Sequence, residues 1–350
     1  MLRAMDSGVA GLRAHQNKLD VISNNIANVN TFGFKAQTFS FKDTMYQTTV
    51  ASAGGKTDNS TNNAVTGGMN ASQYGYGSLT GSIATDFTSS TPTYIGGFSG
   101  CVNGPGFFVT SSANVTDGVL CNNQNASTSN EDKAKITNAM KNANFAYTRV
   151  GQFNVDSNGY VVDSNGNFVY GFRPSHYTDP EYYGGSADGE QKIYALRAPN
   201  KTELIGDDHI ATADTDFSGV GIQLKSVEIG NDGVVKAIVE ANKSGSTEKV
   251  ETSIIIGKVA VASFQNQGGL TKAGNNTFNA SSGDNTGAVC ATEPGVGSTP
   301  NLMAGYVEGS NTDLAKEFSD MITTQRGFQA NSKIITVSDE ILQELVNMKR

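Results

Sequence analysis

From Leu314 to Val346 one stripe recurs at alternating steps of four and three: Leu314, Phe318, Met321, Gln325, Phe328, Ser332, Ile335, Asp339, Leu342 and Val346. These are the a and d positions of nearly five heptads, which a helix lines up on one face. Ser310, Asn311 and Thr312 offer caps before the run, with Asp313 and Glu317 in its early turns. One helix over 314–349 would be about 54 Å long at about 1.5 Å per residue, well beyond the average globular helix. Such a stripe needs a cover, because burying each Leu or Val side chain is worth about 1.5–3 kcal/mol.

The N-terminus can supply part of that cover. Leu2, Met5, Val9, Leu12, Leu19, Ile22 and Ile26 recur largely at steps of three and four, interrupted at Gln16 and Ser23. The helix they predict ends near NNIANVNTFGF, where asparagines and Gly33 stop it. The two helices can form an ordinary amphipathic pair, or pair and also bury surface against other copies. The shorter helix covers only part of the longer one, and Gln325, Ser332 and Asp339 on the seam suit choice of register or partner. Both points favour a polymer contact. The expected assembly interface is therefore Leu12, Leu19, Ile22, Ile26, Leu314, Phe318, Met321, Gln325, Phe328, Ile335, Leu342 and Val346.

Between the ends the sequence reads as short strands. Forty glycines in 350 residues, with abundant Asn, Ser and Thr, suit many turns. FKAQTFSFKDTM (34–45) is extended or mixed, and 46–70 has no stable period and is expected to be a loop, or a segment ordered only by its neighbours. YGSLTGSIATDF (76–87) and CVNGPGFFVT (101–110) carry short extended runs. In 144–172 two DSNG turns separate three alternating runs, predicting a β-meander. Asp156 and Asp163 are turn formers here, since neither turn supplies a full calcium loop with its terminal Glu. Residues 173–258 are polar and turn-rich, with strand candidates QKIYALRA, VEIGNDGVVKAIVE and VETSIIIGKVAVASF, and read as an inserted β-domain. The fold class is mainly β with terminal α-helices, a coiled-coil-like inner domain enclosing nested middle and outer β-domains.

Little chemistry for catalysis is present. No P-loop, dinucleotide fingerprint, H-E-x-x-H or G-x-S-x-G occurs, so no catalytic, cofactor or metal residue is assigned and no cofactor is expected. His15 lies off the a/d face and is expected at the surface, and Arg326 is a packing or intersubunit hydrogen-bonding residue. Cys101, Cys121 and Cys290 have no close metal-ligand spacing; a Cys101–Cys121 pair that leaves Cys290 odd is one reading, and three unbridged cysteines the favoured one. A net charge of −8 without a Lys/Arg cluster argues against nucleic acid. No apolar stretch reaches the length of a membrane span, and the N-terminus lacks the pattern of a cleaved signal peptide.

The ends, SGVAGLRAHQNKLDVISNNIANVNTFGFKAQ (7–37) and SNTDLAKEFSDMITTQRGFQANSKIITVSDEILQELVNMKR (310–350), resemble the bacterial flagellar rod and hook axial proteins. YTRVGQFNVDSNGYVVDSNGNFVYGF and ASFQNQGGLTKAGNNTF are similar to the family's middle-domain blocks, while GGFSGCVNGPGFFVT departs from its usual approach to the G-x-G-F-F strand. The resemblance implies an inner helical layer from 1–30 and 312–350, and links to the wall at 31–70 and 301–311. It also implies a wall domain from 71–170 and 259–300, with an outer domain at 171–258. It further implies a hook subunit polymerising with many copies of itself into a flexible tube, a universal joint carrying torque from rod to filament. The implied partners are a distal rod protein, a hook cap, a hook–filament junction protein and the flagellar export apparatus. The implied location is extracellular, after export without cleavage. A distal rod subunit is the alternative, and length and the LQELVNMKR ending favour hook. A secreted adhesive or carbohydrate-binding role, motivated by the polar outer β-domain, is a further alternative.

Overall fold

The computed structural model describes residues 2–57, 64–115, 118–123, 130–173, 190–198, 223–242, 249–296 and 299–348. It is mainly β with helices at both ends, and divides into two compact units. One holds residues 1–29, 36–86 and 312–350; the other holds 30–35 and 87–311.

In the first unit, helix α1 spans Leu2–Ala27. A second helix, α2 (Asn130–Asn142), belongs to the β unit, and α3 spans Leu314–Met348. The cap of α3 is Asp313, one residue beyond the three expected candidates. Its Oδ1 accepts from the main-chain N–H of Ala315 at 2.9 Å and of Lys316 at 3.3 Å, satisfying two otherwise unpaired donors of the first turn.

The described residues between 37 and 85 form a long antiparallel hairpin. Strands Gln37–Asp43 and Ser78–Thr85 pair at its root, Tyr46–Val50 pairs with Ser72–Gly75, Ala53 bridges Met69, and Lys56–Thr57 pairs with Ala64–Thr66. The root packs on α1: the His15 and Phe41 rings lie 5.2 Å apart, and Asn17 Nδ2 donates to Thr80 Oγ1 at 3.0 Å. Of 46–70, expected to be a loop or a segment ordered only by its neighbours, residues 46–50, 53, 56–57, 64–66 and 69 therefore lie in paired strands or bridges. The missing apolar alternation has a physical reason. The distal part of the ribbon is exposed on both faces, so no buried side imposes a period of two.

The β unit is built around Phe107–Ser111, a strand buried along its whole length. It pairs with Ala146–Thr148, Phe168–Phe172 and Val261–Phe264. Alternation sends Phe107 and Val109 into one core, with Tyr147, Tyr170 and Phe264, and Phe108 into another, with Phe153, Val169 and Val261. Helix α2, which carries no clear sequence signal, lays Ile136 and Met140 on the first core.

The meander forms as the DSNG turns predict, through Phe153–Val155, Val161–Asp163 and Phe168–Phe172. Asp163 Oδ1 accepts from the N–H of Asn165 and Asn167, and Asp156 Oδ1 from that of Ser157. Both carboxylates thus hold turns. Strands Gln223–Ile229, Val234–Asn242 and Lys249–Val259 continue the same sheet by pairing at Gly171 and Phe172. Residues 174–189, 199–222 and 243–248 of the expected outer domain lie outside the described residues.

A buried charge cluster ties four chain passes of this unit together. Glu308 Oε1 accepts from Lys35 Nζ at 2.8 Å and from the Ser90 N–H at 3.1 Å, and Oε2 accepts from Arg149 Nη1 at 3.3 Å. All three charged side chains are almost wholly buried. Lys35 Nζ also donates to the Thr88 carbonyl, and the Gly33 N–H donates to the Glu308 carbonyl. The Cys101 thiol beside the cluster is pushed up to about 11 by burial and by the Glu308 carboxylate, against the pull of Arg149 and Lys35. Among the described residues no disulfide joins Cys101, Cys121 or Cys290.

Candidate assembly surface on the terminal helices

Helices α1 and α3 pack antiparallel. Gly8 lies against Ile335 and Asn331, Gly11 against Asn331, and His15 against Gly327. Farther along, Lys18 Nζ stands 3.9 Å from Asp320 Oδ1, and Asn25 Nδ2 donates to Glu317 Oε1 at 3.0 Å. The helices approach closely because glycine occupies three of these contacts. A Cβ at Gly11 would sit 2.7 Å from Asn331 Nδ2, and one at Gly327 would sit 2.7 Å from a His15 ring carbon.

The seam facing α1 is therefore Glu317, Asp320, Thr324, Gly327, Asn331 and Ile335, with Thr324 and Ser338 the buried residues of α3. It lies largely one residue before the apolar stripe: 317 beside 318, 320 beside 321, 324 beside 325, 327 beside 328, 331 beside 332. The expected interface residues consequently separate into groups. Ile22 is buried, and Leu12, Leu19, Ile26, Met321, Ile335 and Leu342 are half-buried. Leu314, Phe318, Gln325, Phe328 and Val346 are exposed, with Phe318 at 50% and Val346 at 66%. The short root strands and α1 do not cover them.

A second exposed face appears toward the C-terminus, where Ile334, Val337, Ile341, Leu345 and Met348 stand open at steps of three and four. The contacts 8 with 335, 11 with 331 and 15 with 327 fix the helix register. Continued, it puts Leu2 opposite residue 340, so the last turns of α3 have no α1 beside them. At about 1.5 Å per residue, the 35 residues of α3 span about 52 Å and the 26 of α1 about 39 Å.

Three features escaped the reading of the stripe. Asn25 is buried and makes a reciprocal pair with Gln37, Nδ2 to the carbonyl and N–H to Oδ1, both at 2.9 Å, besides its bond to Glu317. One amide thus joins both helices to the hairpin root. Burial raises the Glu317 carboxyl, with the bond from Asn25 acting against it. His15, expected at the surface, has its ring over Gly327, and its Nδ1 is buried with no hydrogen-bond partner. Burial first, then Lys18, lowers its affinity for a proton. The sequence signal for this close approach was the glycines at 8, 11 and 327, small residues at facing positions rather than apolar ones.

The hairpin adds exposed apolar side chains to this unit: Met45, Tyr46, Val50, Met69 and Tyr74. A two-stranded ribbon exposed on both faces is marginal by itself in water. Among the described residues no helix is long and apolar enough to cross a membrane, and no group of side chains could hold a metal ion.

Family models match three stretches. One for the C-terminal segment of flagellar basal body rod FlgEFG proteins covers 303–348, one for flagella basal body rod proteins covers 5–35, and one for the D1 domain of flagellar hook protein FlgE/F/G covers 136–237. The first two matches include most of the paired helices. The chain is similar to the flagellar basal-body rod protein FlgG of Bacillus subtilis, 36% identical over 351 aligned residues and the whole of both chains. It is 29% identical to the flagellar hook protein FlgE of Borreliella burgdorferi over 462 aligned residues, again covering both chains entirely. With the FlgG of Caulobacter vibrioides it shares 27% identity, over 98% of this chain and 97% of that one. Rod and hook relatives both align across the whole of this chain.

Proposed function

Because this chain belongs to the family of flagellar rod and hook axial proteins, we propose that it is a structural subunit polymerising into the tubular axis of the flagellum. The observation that carries this reading is the uncovered apolar surface of α3, from Leu314 and Phe318 to Leu345, Val346 and Met348. Neighbouring copies bury that surface, and the seam with α1 presets its direction. Each Leu, Ile or Phe fully buried on assembly contributes about 1.5–3 kcal/mol before ordering costs. The exposed distal hairpin is a second contact with neighbours, and it gains order from them. The terminal segments 1–30 and 312–350 form the inner layer of the tube. The wall lies outside them, joined through 31–70 and 301–311, and 171–258 is outermost. The subunit acts by packing and not by catalysis.

Two positions on the axis fit. The ending LQELVNMKR favours the hook, the flexible joint between rod and filament, where a distal rod protein, a hook cap and a hook–filament junction protein adjoin it and the export apparatus delivers it. The end-to-end match with a rod protein at 36% identity favours the distal rod. Deleting the gene and imaging the basal bodies separates them. A complete rod without hook or filament supports the hook, a shortened rod supports the distal rod, and intact flagella contradict both.

A further inference from the structure

Within the β unit, four separate chain segments surround an open pocket of about 320 Å³ that no assembly contact proposed above uses. Its walls include Asn30, Phe32, Gln152, Ser164, Asn165 and Asn276, and no charged side chain lines it. Asn276 has φ +58, a left-handed conformation that Asn tolerates better than most residues. Internal hydrogen bonds fix the walls: Asn276 Nδ2 donates to the Phe32 carbonyl at 3.0 Å, and Asn165 Nδ2 to the Asn275 carbonyl at 3.1 Å.

Those bonds orient the two amides while leaving their Oδ1 atoms as acceptors. Asn30, Gln152 and Ser164 are exposed, and their side chains bring further donors and acceptors to the rim. Phe32, 37% exposed, adds an apolar ring face. Several carboxamides, a hydroxyl and one aromatic face without charge match a ligand that is neutral, rich in hydroxyls and apolar on one side. The main-chain carbonyls of Phe32 and Asn275 are already occupied, so these walls offer side-chain amides and not the free strand edge an extended peptide would use. The volume is at the lower end of the about 300–1,000 Å³ usual for small-molecule sites.

We propose that this pocket binds a neutral saccharide of one or two rings, with a ring face on Phe32 and its hydroxyls on the amides of Asn30, Gln152, Asn165 and Asn276. The test is saturation-transfer and amide-shift NMR on the full-length monomer, titrated with glucose, galactose, N-acetylglucosamine and their disaccharides, and with glucuronate as the charged comparison. At least one neutral sugar should bind with a dissociation constant of about 1 mM or below, corresponding to about −4 kcal/mol. Shifts should be confined to 30–32, 150–165 and 275–276. Phe32→Ala and Gln152→Ala, both at exposed positions, should each weaken binding at least about fivefold with an unchanged melting temperature, about 1 kcal/mol. Glucuronate should bind more weakly than glucose. No transfer from any sugar at about 50 mM, well above that range, would overturn the proposal. So would binding indifferent to both substitutions, or pocket shifts that arise only on polymerisation, which would assign the pocket to a second copy.

Discussion

Replacing Glu308 by Ala should be among the most damaging single changes in the β unit. The carboxylate is the shared partner of Lys35 and Arg149, and it also accepts from the Ser90 N–H. Truncation leaves two buried cations facing each other, and Arg149 already has Nε and Nη2 without partners. Breaking a buried pair by removing one member costs about 3–5 kcal/mol, because the remaining charge stays desolvated. At about 2–4 °C per kcal/mol for a domain of this size, the melting temperature should fall by about 6–20 °C. Differential scanning calorimetry of the monomer at neutral pH measures it. The combined Lys35→Met, Arg149→Met, Glu308→Leu variant should recover a large part of the loss, since a well-packed apolar replacement removes the desolvation cost. A shift under about 2 °C for Glu308→Ala, less than 1 kcal/mol would give, would refute the clamp. A triple variant no better than the single one would show that packing, and not charge, dominates.

Three other outcomes follow from particular contacts. Gly11→Leu should lower the melting temperature and disrupt the α1–α3 pair, because its Cβ alone would meet Asn331 Nδ2 at 2.7 Å; an overpacking cost of about 1–3 kcal/mol is expected by circular dichroism. Cys101 should resist thiol reagents at pH 8 until the chain is unfolded, since burial keeps its thiol protonated up to about 11; rapid labelling of the native protein would contradict its placement. Burial raises the Asp284 carboxyl, but hydrogen bonds from Lys141, from Thr286 and from the Ser281 and Thr286 N–H groups outweigh that and hold it at about 2. Its contribution, about 1–2 kcal/mol after solvent screening, is present above the ordinary Asp value near 4 and lost as pH falls toward 2; Asp284→Asn should flatten that acid limb in calorimetry.

The two terminal helices and the meander were legible because each rests on local chemistry. Heptad spacing marked α3, and two DSNG turns located the strands between Phe153 and Phe172. The choice of seam was not legible. Apolarity singled out Phe318, Gln325 and Phe328, whereas the contact with α1 runs through Thr324, Gly327 and Asn331, where small size lets the backbones approach. The hairpin was missed since a ribbon solvated on both faces leaves no alternation to read. Glu308 was missed for another reason. Its partners Lys35 and Arg149 are 273 and 159 residues away, and nothing local distinguishes a buried Glu from a surface one.

The central claim is that the outward face of α3 is kept for other copies of the chain. Leu345 and Val346 test it cleanly, because they are exposed in the single chain and lie beyond the register of α1. The double substitution Leu345→Asp, Val346→Asp should leave the monomer's melting temperature nearly unchanged, as exposed changes usually do within about 0.5 kcal/mol. It should abolish tube formation, because two charges would be desolvated at every contact. Electron microscopy of polymerisation reactions, beside the unsubstituted chain, reads the result directly. Absent tubes with a native melting curve are the predicted outcome; tubes forming at normal yield would contradict it.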